Sequence, residues 1–173
     1  MPDLKGIGTL LNTILDIVYN HTELVILLYL VLTAVLMLSR REKANRFFQC
    51  AALAVWFAGT AYLVFFERTP VMDVRYNLVP FRDDNLWNVK CNILIFVPFV
   101  PALCGAFPKL NVKSAVLSGV LLIVFIELIQ LLSRRGICDI DDFLENSLGV
   151  LIGAGCFLLL RRGAGLRHGD GSH

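Results

Sequence analysis

Charge is scarce in this sequence. Asp, Glu, Lys and Arg together make up 17% of its 173 residues, whereas hydrophobic residues make up 57%, and the mean hydropathy is +0.69. A soluble domain of this size could not be so apolar without exposing large hydrophobic patches. The composition therefore predicts an all-α integral membrane protein with several transmembrane helices.

Familiar signatures of enzymes and nucleic-acid binders are missing as well. The sequence contains no HExxH motif, phosphate-binding loop, paired CxxC or nucleophile–base constellation, and its three histidines share no metal-ligand spacing. The net charge of +2 predicts no nucleic-acid partner, because the basic residues lie between apolar runs, where they act as topology signals. The polar residues within the apolar runs are therefore the main indicators of function.

The five cysteines are an odd number. Cys50, Cys104 and Cys156 lie in or beside apolar runs, which is typical of small core residues. Cys91 and Cys138 fall on the same side of the topology predicted below. A disulfide between them is a candidate, although spacing alone does not establish its geometry.

Apolar runs predict about five transmembrane helices. Residues 4–20 carry apolar side chains at helical spacing with polar interruptions, which predicts an N-terminal amphipathic helix. The predicted spans that follow are Thr22–Leu38, Phe47–Phe66, Ile93–Phe107, Ala115–Leu132 and Phe143–Leu160. The third run contains Pro98 and Pro101 and, at ~1.5 Å per residue, barely crosses a ~30 Å hydrocarbon core. It is either extended from Trp87 or broken at its prolines.

The predicted organisation has four parts: an amphipathic helix (1–21), a two-helix membrane hairpin (22–66), a membrane domain (67–162) and a polar tail (163–173), which we treat as partly an expression remnant. The basic loop at 40–46 and the arginines after Leu160 place those segments in the cytoplasm. This predicts an inner-membrane protein with an external N-terminus and a cytoplasmic C-terminus. Residues 67–92 and 133–142 are then external.

Two predicted helices carry polar residues at helical spacing near this external side. At the external end of the fourth span, one helix face holds Glu127, Gln130 and Arg134. At the external start of the fifth, one face holds Asp139, Asp142 and Asn146 and continues into Gly149 and Gly153. A polar group inside a membrane span costs several kcal/mol unless it is partnered, so such residues indicate function by default.

Each of these residues also has a purely structural interpretation. Asp141 is a candidate helix cap, and Asn146 a candidate for an inter-helix hydrogen bond. The Gly149–Gly153 pattern is typical of close helix packing, which turns its face into the bundle. Glu127 is either an ion-pair partner of Arg134 or Arg135, or it is a metal ligand, a proton-transfer group or a substrate contact. Glu145 is expected to point elsewhere, toward the interface.

Four blocks of residues, taken in order, resemble the VanZ-like family. They are Asn77-Leu-Val-Pro80-Phe81, Asn92-Ile-Leu-Ile-Phe96-Val-Pro98-Phe99, Glu127-Leu-Ile-Gln130, and Asp139-Ile-Asp-Asp142 with Asn146 and Gly149. Family members usually carry Gly where Val100 stands here. The resemblance covers about Asn77 to Leu160 and implies a cell-surface membrane protein with an outward-facing polar site. The family takes its name from a protein that gives low-level resistance to teicoplanin, a lipoglycopeptide.

The leading hypothesis is a polar pocket open to the outer leaflet. The candidate binding residues are Asn77, Arg82, Asn92, Glu127, Gln130, Arg135, Asp139, Asp142 and Asn146. The expected partners are membrane lipids and an amphiphile with a polar head, either a lipid-linked cell-wall precursor or a lipoglycopeptide. Arginine would contact anionic groups, and the acids would act as ligands or proton acceptors.

Two other classes of function stay open. An integral membrane enzyme acting on lipid or lipid-phosphate head groups would use Glu127 and Asp142 for general acid–base work. It could also hold a divalent cation on Glu127, Asp139 and Asp142. A small lipid transporter would use the broken third run as its substrate path.

Overall fold

Helices make up almost all of the regular structure. The computed structural model describes Thr9, Thr13 and residues 20–39, 41–62, 76–80, 85–134 and 137–165. Its elements in chain order are α1 (Thr22–Leu38), α2 (Glu42–Tyr62), β1 (Tyr76–Asn77), α3 (Leu86–Phe96), α4 (Phe99–Ala106), α5 (Val112–Ser133), β2 (Cys138–Asp139) and α6 (Ile140–Gly163). Thr9 and Thr13 are helical, and the Thr13 hydroxyl donates to the Thr9 carbonyl at 2.9 Å. The rest of the predicted amphipathic helix lies outside the described residues.

The helices have the length and composition of a multi-pass membrane protein, which confirms the predicted fold class. Among the described residues, three segments are long and apolar enough to cross a membrane: Leu86–Ala106, Val112–Ser133 and Ile140–Gly163. Helix α1 is apolar but shorter, at 17 residues. The second predicted span extends past Tyr62 to Phe66, beyond the described part of α2. The total of five spans therefore stays a prediction.

The proline-containing run is divided into two helical halves, α3 and α4, joined at Val97 and Pro98. Both joining residues keep right-handed helical dihedral angles, and the Val97 N–H donates to the Leu94 carbonyl at 3.3 Å. Because Pro101 has no N–H, the Val97 carbonyl lacks the donor that an α-helix would supply four residues later. The predicted interruption at the prolines is confirmed. It leaves the Val97 carbonyl oxygen without its helical hydrogen bond, on one side of the segment.

Helix α6 packs on that side through its two buried glycines. A Cβ placed on Gly149 would fall on the carbonyl oxygen of Ile93, and one on Gly153 would fall on the carbonyl oxygen of Val97. Any side chain at either position would thus collide with backbone rather than with a flexible neighbour. The prediction that the glycine face packs closely inside the bundle is confirmed.

Helix α2 is attached to the two halves by aromatic and polar contacts. Trp56 lies with its ring centroid 5.3 Å from that of Phe96 and 4.9 Å from that of Phe99, and its indole N–H donates to the Ile95 carbonyl at 2.5 Å. Between α1 and α2, the fully buried Gln49 accepts a hydrogen bond from the Tyr29 hydroxyl at 2.6 Å, and the same hydroxyl lies 3.5 Å from the Pro98 carbonyl oxygen. These contacts hold α1 and α2 against the broken segment.

The glycine–carbonyl contact predicts a sharp difference between glycines of one helix. Gly149→Ala and Gly153→Ala should each destabilise the protein by on the order of 3 kcal/mol, because overpacking against backbone cannot be relieved by a rotamer change. The measurement is the thermal unfolding midpoint in detergent.

Gly155→Ala is the matched control, since nothing lies within 4 Å of a Cβ at Gly155. It should leave the midpoint unchanged or raise it slightly, because alanine favours helix. Equal midpoints for all three variants would contradict the packing described here.

Candidate functional site

Three helix ends and two short strands meet at one end of the bundle, which we call the acidic end. Here α3 begins, α5 ends and α6 begins. Strand β1 pairs in parallel with β2, so that Tyr76 lies beside Cys138 and Asn77 beside Asp139. This pairing brings residues separated by 62 positions into hydrogen-bonding distance.

Asp139 is the N-cap of α6. Its backbone is extended, and its carboxylate accepts a hydrogen bond from the Asp141 N–H at 3.0 Å. The same carboxylate accepts from the Asn77 side-chain amide at 3.2 and 3.3 Å. The prediction that Asp141 caps this helix is therefore wrong. Asp141 lies in the first turn, where its charge complements the helix dipole.

Glu127 connects the end of α5 to this cap. Its side chain is only 6% exposed, and the carboxylate accepts from the Asp139 N–H at 3.3 Å. Gln130, one turn further along the same face, is 2% exposed. Arg134 ends the helix in the left-handed region, with φ 55°, and is exposed. The acid and the amide are thus buried, whereas the arginine with which they share a helical spacing is exposed.

Asn92 lies between two carboxylates of α6. Its side-chain amide donates to Asp142 at 2.6 Å and to Glu145 at 2.9 Å. The expectation that Glu145 points toward the membrane interface, away from this cluster, is wrong. The missed signal is the spacing of three residues from Asp142 to Glu145, which puts both acids on neighbouring positions of one helix face.

Asn146 lies one turn below Asp142 and is 7% exposed. Its side-chain oxygen is buried and has no hydrogen-bond partner among the described residues, and the same is true of the Ser147 hydroxyl oxygen. A buried acceptor without a donor costs roughly 1–3 kcal/mol. Unpaired buried groups of this kind are uncommon and call for an explanation such as a ligand or a water molecule.

All five cysteines are free, so the candidate disulfide between Cys91 and Cys138 is not formed. Burial, and after it the negative charges of Glu127 and Asp139, raise the pKa of the Cys138 thiol above its ordinary value. The thiol is also hydrogen-bonded to Glu127. Cys138 is therefore held in its neutral form near pH 7, which makes it a poor nucleophile.

The residues predicted for metal binding and acid–base work are bonded to different donors. Glu127 accepts from the Asp139 N–H, and Asp139 accepts from the Asp141 N–H and the Asn77 amide. Asp142 accepts from the Asn92 amide. Among the described residues, no group of three or more His, Cys, Asp or Glu side chains is placed to hold a metal ion. Arg82 and Arg135, the predicted anion contacts, lie outside the described residues.

Apolar side chains surround this acidic end. Directly beside the β1–β2 pair, Tyr76 is 70% exposed, and Leu78 and Val79 are also exposed. Leu132 at the end of α5 and Leu86 at the start of α3 are exposed as well. The polar cluster is thus bordered by hydrophobic surface, an arrangement that matches an amphiphilic environment.

Comparison with known proteins gives one family. The model of the VanZ/LLP1 family matches residues 24–161 of the chain, which include α1 and α2 as well as the blocks that carry the resemblance in the sequence. No curated protein and no solved structure gives a significant match.

Replacement of the bridging amide should make stability depend on pH. Asn92→Asp substitutes a third carboxylate for the donor between Asp142 and Glu145. At pH 8 we expect a loss of on the order of 3 kcal/mol, because hydrogen bonds to two charged acceptors are replaced by repulsion. At pH 5 protonation relieves part of the repulsion, so the unfolding midpoint of the variant should approach that of the wild type.

Asn111→Asp is the control for this change. Asn111 caps α5 at the opposite end of the bundle, where its side chain accepts from the Ser114 N–H at 2.7 Å and aspartate is an equally good cap. The unfolding midpoint of this variant should change with pH in the same way as that of the wild type. An Asn92→Asp midpoint that stays parallel to the wild type from pH 5 to pH 8 would rule out the bridging role.

Proposed function

Because the chain belongs to the VanZ/LLP1 family, we propose that it acts at the bacterial cell surface by binding an amphiphilic envelope molecule at the acidic end. The ligand is a lipid-linked cell-wall precursor or a lipoglycopeptide such as teicoplanin, and binding modulates glycopeptide resistance. The residues that carry the site are Asn77, Asn92, Glu127, Gln130, Asp139, Asp142, Glu145 and Asn146, with Arg82 and Arg135 as anion contacts.

The distribution of basic residues supports an orientation with the acidic end outside. Counted over the whole sequence, the segments predicted to be cytoplasmic (40–46, 109–113 and 161–167) hold nine Lys and Arg residues, whereas the segments predicted to be external (67–92 and 133–142) hold six. Lys and Arg are enriched on the cytoplasmic side of inner-membrane proteins. The basic end therefore faces the cytoplasm, and the acidic end lies at the outer leaflet.

The observation that carries the binding proposal is the buried side-chain oxygen of Asn146. It is an acceptor with no hydrogen-bond partner among the described residues, on the same face of α6 as Asp142 and Gly149. An acceptor buried in this way lowers stability until a donor reaches it. A ligand N–H or O–H group that reaches it through the cluster would supply the missing donor.

The chemistry of the other groups indicates which kind of head group fits. An ionised carboxylate has about four acceptor sites, so those of Asp142 and Glu145 can accept hydrogen bonds from a ligand in addition to those from the Asn92 amide. Peptide N–H, ammonium and sugar hydroxyl groups are donors of this type. The exposed Leu78 and Val79 would contact the apolar part of the same molecule.

The proposed orientation predicts the behaviour of fusions after His173. A green fluorescent protein placed there should fluoresce in bacterial cells, because the C-terminus is cytoplasmic, and an alkaline phosphatase at the same point should be inactive. The opposite pair of results would place the acidic end in the cytoplasm and refute an outer-leaflet site.

Substitutions in the cluster should weaken ligand binding. For Glu127→Gln, Asp142→Asn and Asn146→Ala, we expect about a tenfold loss of affinity each, the effect of removing one hydrogen bond to a charged or buried acceptor. The measurements are binding of teicoplanin, and separately of a lipid-linked cell-wall precursor, to the protein in lipid nanodiscs. Teicoplanin susceptibility of cells that express each variant gives the physiological readout.

Glu42→Gln is the matched control, because Glu42 is an exposed acid in the first turn of α2 at the opposite end. It should bind both ligands like the wild type. Protein level and unfolding midpoint are measured for every variant, so that loss of binding is not confused with loss of fold. Unchanged affinity for both ligands in well-folded cluster variants would refute the proposed site.

A further inference from the structure

A second candidate site lies at the other end of the bundle, away from the acidic cluster. A groove with a cavity volume of about 600 Å³ lies between α2, α4 and α5. Its apolar lining consists of Phe57, Phe99, Leu103, Phe107, Leu110 and Leu122, and its polar lining of Lys109 and Ser118. Phe57 and Phe107 are 45% and 52% exposed, so the groove is open on the outer surface of the helices.

The length of the groove matches the depth of one leaflet. Lys109 precedes the first turn of α5, and Leu122 lies about 15 Å along that helix from Val112 at ~1.5 Å per residue. Half of a ~30 Å hydrocarbon core is ~15 Å. The apolar lining thus extends from the head-group level to near the middle of the bilayer, where the surrounding material is lipid hydrocarbon.

The charges at the mouth of the groove are positive. Lys109 lines it directly, and the Arg46 side chain donates from Nε to the Ala106 carbonyl at 3.2 Å, next to Phe107. The eight lining residues include no acid. A juxtamembrane lysine attracts anionic lipid head groups with about 1 kcal/mol, which corresponds to about a fivefold preference.

We propose that this groove binds an anionic phospholipid, with one acyl chain along the apolar lining and the phosphate at Lys109. The charge complementarity at the mouth selects this occupant over a zwitterionic lipid. The depth match selects a lipid over a peptide segment from solution. The proposal is independent of the function assigned to the acidic end, because none of the lining residues belongs to that site.

The chain contains a reporter for this groove. Trp56 is one of its two tryptophans, and its ring centroid lies 5.1 Å from that of Phe57 and 4.9 Å from that of Phe99, both of which line the groove. In a Trp87→Phe background, Trp56 is the sole source of tryptophan fluorescence. Lipids with brominated acyl chains quench tryptophan at short range without direct contact. Trp56 lies directly behind Phe57 and Phe99, so its quenching reports a chain in the groove.

The experiment compares brominated phosphatidylglycerol with brominated phosphatidylcholine in vesicles of otherwise identical composition. We expect half-maximal quenching at about a fivefold lower mole fraction of the anionic lipid. Lys109→Gln should abolish that preference, and Lys113→Gln, which removes a lysine that does not line the groove, should preserve it. Ser118→Phe, which fills the groove without a change of charge, should reduce quenching by both lipids.

Equal quenching by the two lipids in the parent protein would overturn the proposal. So would a preference that survives Lys109→Gln, because the cation at the mouth would then play no part. If Ser118→Phe changes the mass of the detergent-solubilised protein from that of an oligomer to that of a monomer, the groove is occupied by a second copy of the chain and the proposal is wrong.

Discussion

The close approach of α6 to the two half-helices α3 and α4 is the constraint on which the rest of the structure depends. Prolines interrupt the ordinary helical hydrogen bonding of the α3–α4 segment, and glycines on α6 let its backbone reach the carbonyl groups on that side. Gly149 lies against the carbonyl of Ile93, the residue that follows Asn92. This register sets Asn92 at the depth of Asp142 and Glu145, so packing in the middle of the bundle determines the geometry at its acidic end.

The two ends of the bundle differ in the way they stabilise charge. At the basic end, exposed cations lie beside ordinary helix caps such as Asn111. At the acidic end, carboxylates are partly buried, and the strand pair and the Asn92 bridge bring them together. Burial of acids costs free energy unless they are bonded. The side-chain oxygen of Asn146 beneath them, which has no partner among the described residues, adds to that cost.

Hydropathy and helical spacing predicted much of this structure, but not how the side chains are partnered. The membrane-protein class follows from the composition and the apolar runs. The interrupted third run follows from the positions of Pro98 and Pro101, and the inward glycine face from those of Gly149 and Gly153. Sequence alone does not distinguish Asp139 from Asp141 as the helix cap, because consecutive acids satisfy the same local rule. The extended backbone of Asp139 and its hydrogen bond from the Asp141 N–H identify the cap. Pairing of β1 with β2 depends on contacts between distant segments, which periodicity does not encode.

The most direct test of a ligand site at the acidic end is the response of the asparagine side-chain amides themselves. With ¹⁵N-asparagine in the protein in nanodiscs, titration with a lipid-linked cell-wall precursor, and separately with teicoplanin, can be followed by NMR. We expect one of these ligands to shift the amide signals of Asn92 and Asn146 together over one concentration range. The signal of Asn111, at the opposite end, should stay in place. If neither ligand moves the Asn92 and Asn146 signals, or if all three move alike, the acidic end is not the binding site.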